Sequence, residues 1–183
     1  GVNVFNGALY FWDHFGLSNN HNLAEYEGGY ATYTLIGGVK AIATSSLTAG
    51  GTGSKIPQRY IPVGQGFFVD AYLDPALSGT TAIVSGGTLN FKNSQRAFMR
   101  ESTPNSVFLK KRETTNTNGA IKPKIRLGFD SPIGAHRQLL VGVDPNTSNN
   151  YDLGYDAPMC DTNENDVYWK INERTLEVRI PLD

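Results

Sequence analysis

Apolar and polar residues alternate along this chain in short runs, and no stretch carries the longer 3.6-residue period of an amphipathic helix. Ala8–Asp13 (ALYFWD) is a compact aromatic run, read as the first strand. In Tyr30–Leu35, Tyr30, Thr32 and Thr34 alternate with Ala31, Tyr33 and Leu35, the period of two that predicts a strand. Gly37-Gly38 breaks it, and Val39–Thr44 is the expected hairpin partner. Tyr60–Tyr72 (YIPVGQGFFVDAY) combines a stiff Ile61-Pro62 step, two glycines around Gln65, and an aromatic and β-branched run. It is expected to be a turn feeding a central, mostly buried strand.

Further along, Thr81–Val84 and Thr88–Phe91 flank the hairpin punctuation Ser85-Gly86-Gly87, and Val107–Arg112 reads as another strand. Lys124–Asp130 and His136–Val143 should lie antiparallel across Ser131-Pro132-Ile133-Gly134. Val167–Ile171 and Leu176–Ile180 should close the chain as a hairpin, and Asp144–Asp166 reads as an acidic loop. About eleven short strands, with turn signals every ~8–12 residues, predict an all-β protein. The expected architecture is a two-sheet antiparallel β-sandwich, jelly-roll-like, in a single domain over residues 1–183. Gly1 and the ending Ile180-Pro181-Leu182-Asp183 suggest a domain excised from a larger multidomain protein.

Composition narrows the function classes. Charged residues make up 18%, below the quarter usual in soluble domains, and the net charge is −1, so no global field favours nucleic acid or an anionic membrane. No apolar run reaches the ~18 residues needed to insert into a bilayer. The lone Cys160 excludes an intramolecular disulfide. Ala49–Lys55 (AGGTGSK) lacks the Gly-Lys-Ser/Thr ending and the following helix of a phosphate loop.

Three sets of landmarks resemble a module of secreted and cell-surface Bacteroidetes proteins of the type IX secretion kind. They are Leu9-Tyr10-Phe11-Trp12, Gly29–Tyr33, and Ile61-Pro62-Val63-Gly64-Gln65-Gly66-Phe67-Phe68-Val69. Asn90–Arg96, Arg126–Asp130 and Asp152–Ala157 are similar to later landmarks of that module. The resemblance implies a secreted or cell-surface setting and neighbouring domains in a parent protein. It brings no reaction and no functional residues.

Side-chain chemistry offers three constellations. Tyr10, Trp12, Tyr30, Tyr33 and Trp169 are candidate platforms for sugar rings, whose C–H faces pack on aromatic planes; the competing reading is that they are core. Nine basic residues from Lys92 to Arg126, among them Arg96 and Arg126, oppose only Glu101 and Glu113, and His136-Arg137 follows. Converging on one face, they would suit a sulfated or carboxylated polysaccharide; scattered, they are solvated charges. Asp144, Asp152, Asp156 and Asp161 lie in a stretch without Lys or Arg, so they either share a structural calcium ion or cap their own turns.

His14, His21 and His136 lack the spacing of a zinc hydrolase, and no G-x-S-x-G elbow seats a serine nucleophile. The expectation is therefore a non-catalytic extracellular module that binds carbohydrate. A structural or adhesive spacer and a polysaccharide-cleaving enzyme are the alternatives.

Overall fold

The computed structural model describes residues 5–15, 28–42, 53–70, 89–99, 106, 123–132, 134–171 and 174–179. Among these the regular structure is β-strand, apart from one 3-10 turn at Asn93–Gln95.

The first sheet is built from β1 (Leu9–His14), β2 (Gly28–Thr34), β3 (Gly37–Val39) and β4 (Phe68–Val69), in the order β3-β2-β1-β4 and antiparallel throughout. The register sets Trp12 opposite Tyr30 and Tyr10 opposite both Thr32 and Phe68. The β2–β3 turn falls at Leu35-Ile36, two residues before the glycine pair expected to make it. Gly37 is instead the first residue of β3.

The second sheet runs β5 (Lys124–Asp130), β6 (His136–Gly142), β9 (Arg174–Arg179) and β7 (Ala157–Pro158), with β8 (Trp169–Ile171) also paired to β9. The expected β5–β6 hairpin forms in full, from Lys124↔Gly142 to Asp130↔His136. The closing hairpin forms as β8–β9. Among the described strands β9 departs from the antiparallel expectation: it lies parallel to β6, with Leu140↔Val178 and Val141↔Arg179. Neither sheet closes into a barrel.

Alternation along β1 sends Ala8 and Tyr10 to one face of the first sheet and Leu9 and Phe11 to the other. The first face joins Ile36, Val39, Leu140 and Ala157 in one buried cluster, so side chains from both sheets share a core. The opposite face carries a second cluster of Phe11, Ala31 and Ala41, with Phe15, Tyr33 and Phe67 packed against it. Gly7 and Gly154 lock the loop 144–156 to the start of β1. Both have φ of +83°, and a Cβ on Gly7 would come within 2.3 Å of the Gly154 Cα. The Gly154 N–H donates to the Asn6 carbonyl at 2.8 Å, and the Gly154 carbonyl accepts from Leu35 N–H at 2.9 Å.

The Tyr60–Tyr72 expectation is overturned. Among the described residues its only strand is the two-residue β4, which lies at the edge of its sheet, not in the middle. Phe68 is 60% exposed and Val63 98% exposed. Two glycines and a proline within Pro62–Gly66 spend the segment on a turn, in which Gln65 N–H reaches the Pro62 carbonyl at 3.1 Å and Gly64 takes a φ of +84°. The expected strands Thr81–Val84 and Val107–Arg112 lie outside the described residues, as does Thr88; the rest of Thr88–Phe91, Leu89–Phe91, forms no strand.

Candidate functional site

The structure separates the residues nominated from sequence. Tyr10 is withdrawn from solvent inside the shared core, its hydroxyl accepting from Asn6 Nδ2 at 3.0 Å, and burial drives its pKa far up. It is therefore a core residue and not a sugar platform. Tyr33 is half-buried against the second cluster, with its phenol likewise pushed up by burial. Trp12 and Tyr30 are brought together edge to face at 5.2 Å, and Phe68 meets Tyr30 at 5.5 Å. Trp169 is half-buried, and its indole Nε1 is enclosed with no hydrogen-bond partner.

The two arginines serve the scaffold. Arg126 donates from one guanidinium nitrogen to the Gly38 carbonyl and to Gln138 Oε1, both at 2.8 Å, tying β5 to the first sheet. Burial lowers its pKa. Arg137 is buried, and its fork closes on Asp166 while Nη2 also donates to the Asp161 carbonyl. As a ligand-binding group Arg137 is thus corrected: it shares with Leu139 the face of β6 turned away from the Leu140 core, and Asp161 and Asp166 cover it there, a carboxylate occupying its donors. His136 sits at the surface, with Nδ1 2.6 Å from Asp130 Oδ1. These eight residues do not form one site.

The acidic loop is held by hydrogen bonds to backbone and side-chain donors. Asp144 Oδ1 accepts from Asn146 N–H and Nδ2, Asp152 accepts from Ser148 N–H and Oγ, Asp156 accepts from Asp152 N–H, and Asp161 accepts from Tyr30 N–H. The first three are local turn-capping bonds, and the last ties the loop to β2. Among the described residues, no three acidic, His or Cys side chains gather where a metal ion could sit, so Asp144, Asp152, Asp156 and Asp161 are not one ligand set.

A different place has the geometry of a binding surface. Between the segments 59–67 and 91–99 lies an open groove of about 1130 Å³. Its chemistry comes from Arg59, Tyr60, Phe67, Phe91, Lys92 and Arg96. Phe67 reaches it because neighbouring side chains on an extended segment face opposite ways: Phe68 goes to Tyr30, and Phe67 packs 6.0 Å from Phe11 and 6.5 Å from Phe91. The Arg59 guanidinium lies 6.0 Å from the centre of the Tyr60 ring.

On the facing wall the 3-10 turn is closed by Gln95 N–H to the Lys92 carbonyl at 3.0 Å and Arg96 N–H to the Asn93 carbonyl at 3.1 Å. Gln95 Oε1 reaches back to accept from Lys92 N–H. This single turn holds Lys92 and Arg96 at its two ends. No carboxylate and no histidine appear among the groove's described lining residues.

The sequence reading contained Lys92 and Arg96 in the basic run but missed Arg59, Tyr60, Phe67 and Phe91. The available signal was the Pro62–Gly66 punctuation, which marks a turn and hence exposure of its flanks.

Fold and site together define an all-β module with an open surface groove of aromatic and cationic side chains. The chain belongs to the family described as a domain of unknown function (DUF8693), whose profile matches residues 2–180. No curated protein and no solved structure matches it.

Proposed function

We propose that this chain is a non-catalytic, extracellular carbohydrate-binding module whose site is the groove between residues 59–67 and 91–99. One observation carries the reading: an open trough of about 1130 Å³ with phenyl faces beside polar and cationic side chains. Small-ligand sites occupy roughly 300–1,000 Å³ and are mostly enclosed. A wide, open groove instead suits a segment of a long polymer. Phe91, 77% exposed, offers a ring face to the C–H side of a pyranose, and Gln95 and Asn93 stand near it for hydroxyls.

A general acid–base pair has no counterpart among the described lining residues, which supports binding over cleavage. The low charge content and the likeness to secreted surface modules support the extracellular setting. The fold that accompanies this reading is a two-sheet sandwich of the jelly-roll class. Its support is the core shared by Tyr10, Val39, Leu140 and Ala157 across the sheets. The parallel β6–β9 pair departs from it.

The adhesive-spacer reading also has an observation behind it. Val63 and Phe98 are 98% and 94% exposed at or beside the groove, as an apolar contact surface for another protein would be. Affinity electrophoresis through gels containing polysaccharides separates the two. Retarded migration that Phe91→Ala abolishes supports carbohydrate binding; unretarded migration across a broad glycan panel rejects it.

A further inference from the structure

Elsewhere in this molecule three described cations are engaged. Arg137 is held by Asp166, Lys55 lies 3.9 Å from Asp13 in the interior, and Arg126 is committed to a carbonyl and an amide. The groove is different. Arg59, Lys92 and Arg96 line it together, and among the described residues no carboxylate pairs with any of them. Arg59 lies over the face of Tyr60, and Arg96 makes a long 3.5 Å contact to Asn93 Oδ1. With a net charge of −1, the chain has acids enough to neutralise this wall, yet none stands on its described part.

Resting on the carbohydrate reading above, we infer that the groove selects a polyanionic polysaccharide, carrying sulfate or carboxylate groups on successive sugars. Planar guanidinium forks match the oxygens of both anions, while the lysine acts as a point charge. Three like charges across one groove repel each other, and an anionic chain relieves that repulsion by replacing condensed counterions.

A single-stranded nucleic acid would also bring anions and rings, but the aromatic geometry favours sugar. A ladder of stacked bases needs successive open ring planes. Here Phe67 is backed by Phe11 and tilted 59° from Phe91, and the Tyr60 ring carries Arg59. A pyranose needs one ring face, which Phe91 supplies.

The test is calorimetry on the intact chain with dextran, dextran sulfate, polygalacturonate and a mixed-sequence single-stranded DNA. Dextran and dextran sulfate differ only in charge. The expected result is binding of dextran sulfate or polygalacturonate at least ten-fold tighter than dextran. The slope of log K against log salt should be about −2 to −3 for three neutralised charges. Arg96→Gln and Lys92→Gln, at exposed positions, should each flatten that slope by about one without changing the melting temperature. Whether sulfate or carboxylate is preferred identifies the anion. Equal binding of dextran and dextran sulfate with no salt dependence overturns the inference and leaves the carbohydrate reading standing. Absence of binding to every glycan overturns both. DNA bound as tightly as the best glycan overturns the polysaccharide assignment.

Discussion

Arg137 grips Asp166 with two parallel hydrogen bonds, Nε to Oδ1 at 2.8 Å and Nη2 to Oδ2 at 2.6 Å, with both side chains withdrawn from water. The same carboxylate accepts from the N–H groups of Asn163 and Val167, so this pair anchors the loop 161–167 against β6. Removing the arginine strands a buried charge and leaves the Asp161 carbonyl without this donor. Arg137→Ala should cost about 3–5 kcal/mol of stability, measured by urea unfolding. Arg137→Lys, which keeps the charge without the fork, should fall between it and the parent.

The pair also fixes an acid limit. Burial by itself would raise the Asp166 pKa, but the hydrogen bonds and charge of Arg137 and the two backbone N–H groups hold it below the ordinary value. A folded pKa beneath the unfolded one means stability that is complete above about pH 4 and disappears as pH falls through the folded value. Asp166→Asn should remove that component of acid unfolding, seen as a shallower loss of melting temperature below about pH 4.

Asp13 has the opposite sign. Burial pushes its carboxyl up to about 6, against the lowering influence of Lys55, the Lys55 backbone N–H and His14. Burial raises Asp161 as well. A folded pKa above the unfolded one favours the folded state at low pH, and this contribution is lost as pH rises from about 4 through about 6. Stability followed across that window should show a falling component that Asp13→Asn eliminates. A slope unchanged by the substitution would assign the titration elsewhere.

Core and surface leucine-type residues should divide sharply. Leu140, fully buried among Ile36, Val39 and Ala157, joins the two sheets. Leu140→Ala should destabilise by about 2–5 kcal/mol. Ile125, on the adjacent β5 and 61% exposed, should tolerate Ala within about 0.5 kcal/mol. Paired thermal denaturation curves check both.

At the groove, Phe91→Ala should weaken polysaccharide binding on the order of 5–30-fold, the 1–2 kcal/mol typical of an aromatic contact, with no loss of fold. Trp12→Ala, on the opposite face of the first sheet, should leave affinity unchanged. Titration of both variants with the same glycan distinguishes one site from the other.

How far the sequence could be read depended on the range of the interactions. β1, β2, β5, β6 and the β8–β9 hairpin were legible because alternation and turn residues are local signals, spelled out within a few positions of Leu9, Tyr30 or Lys124. The parallel β6–β9 pairing joins Leu140 to Val178, and no local pattern encodes such a meeting. Phe67-Phe68 misled because β-propensity describes fit to a pleated surface and does not tell an edge from a centre. Arg137 was misassigned as surface although its parity with Leu139 was visible. The groove was hidden for a further reason: its walls are turns more than twenty residues apart, and only the fold sets Arg59 facing Lys92 and Arg96.

Hydrogen–deuterium exchange with and without a bound polysaccharide tests the placement of the site most directly. Protection should concentrate in peptides covering residues 59–67 and 91–96 and spare β1, β2 and the loop 144–156. Protection centred instead on Trp12 and Tyr30, with the groove peptides exchanging as before, would contradict the account.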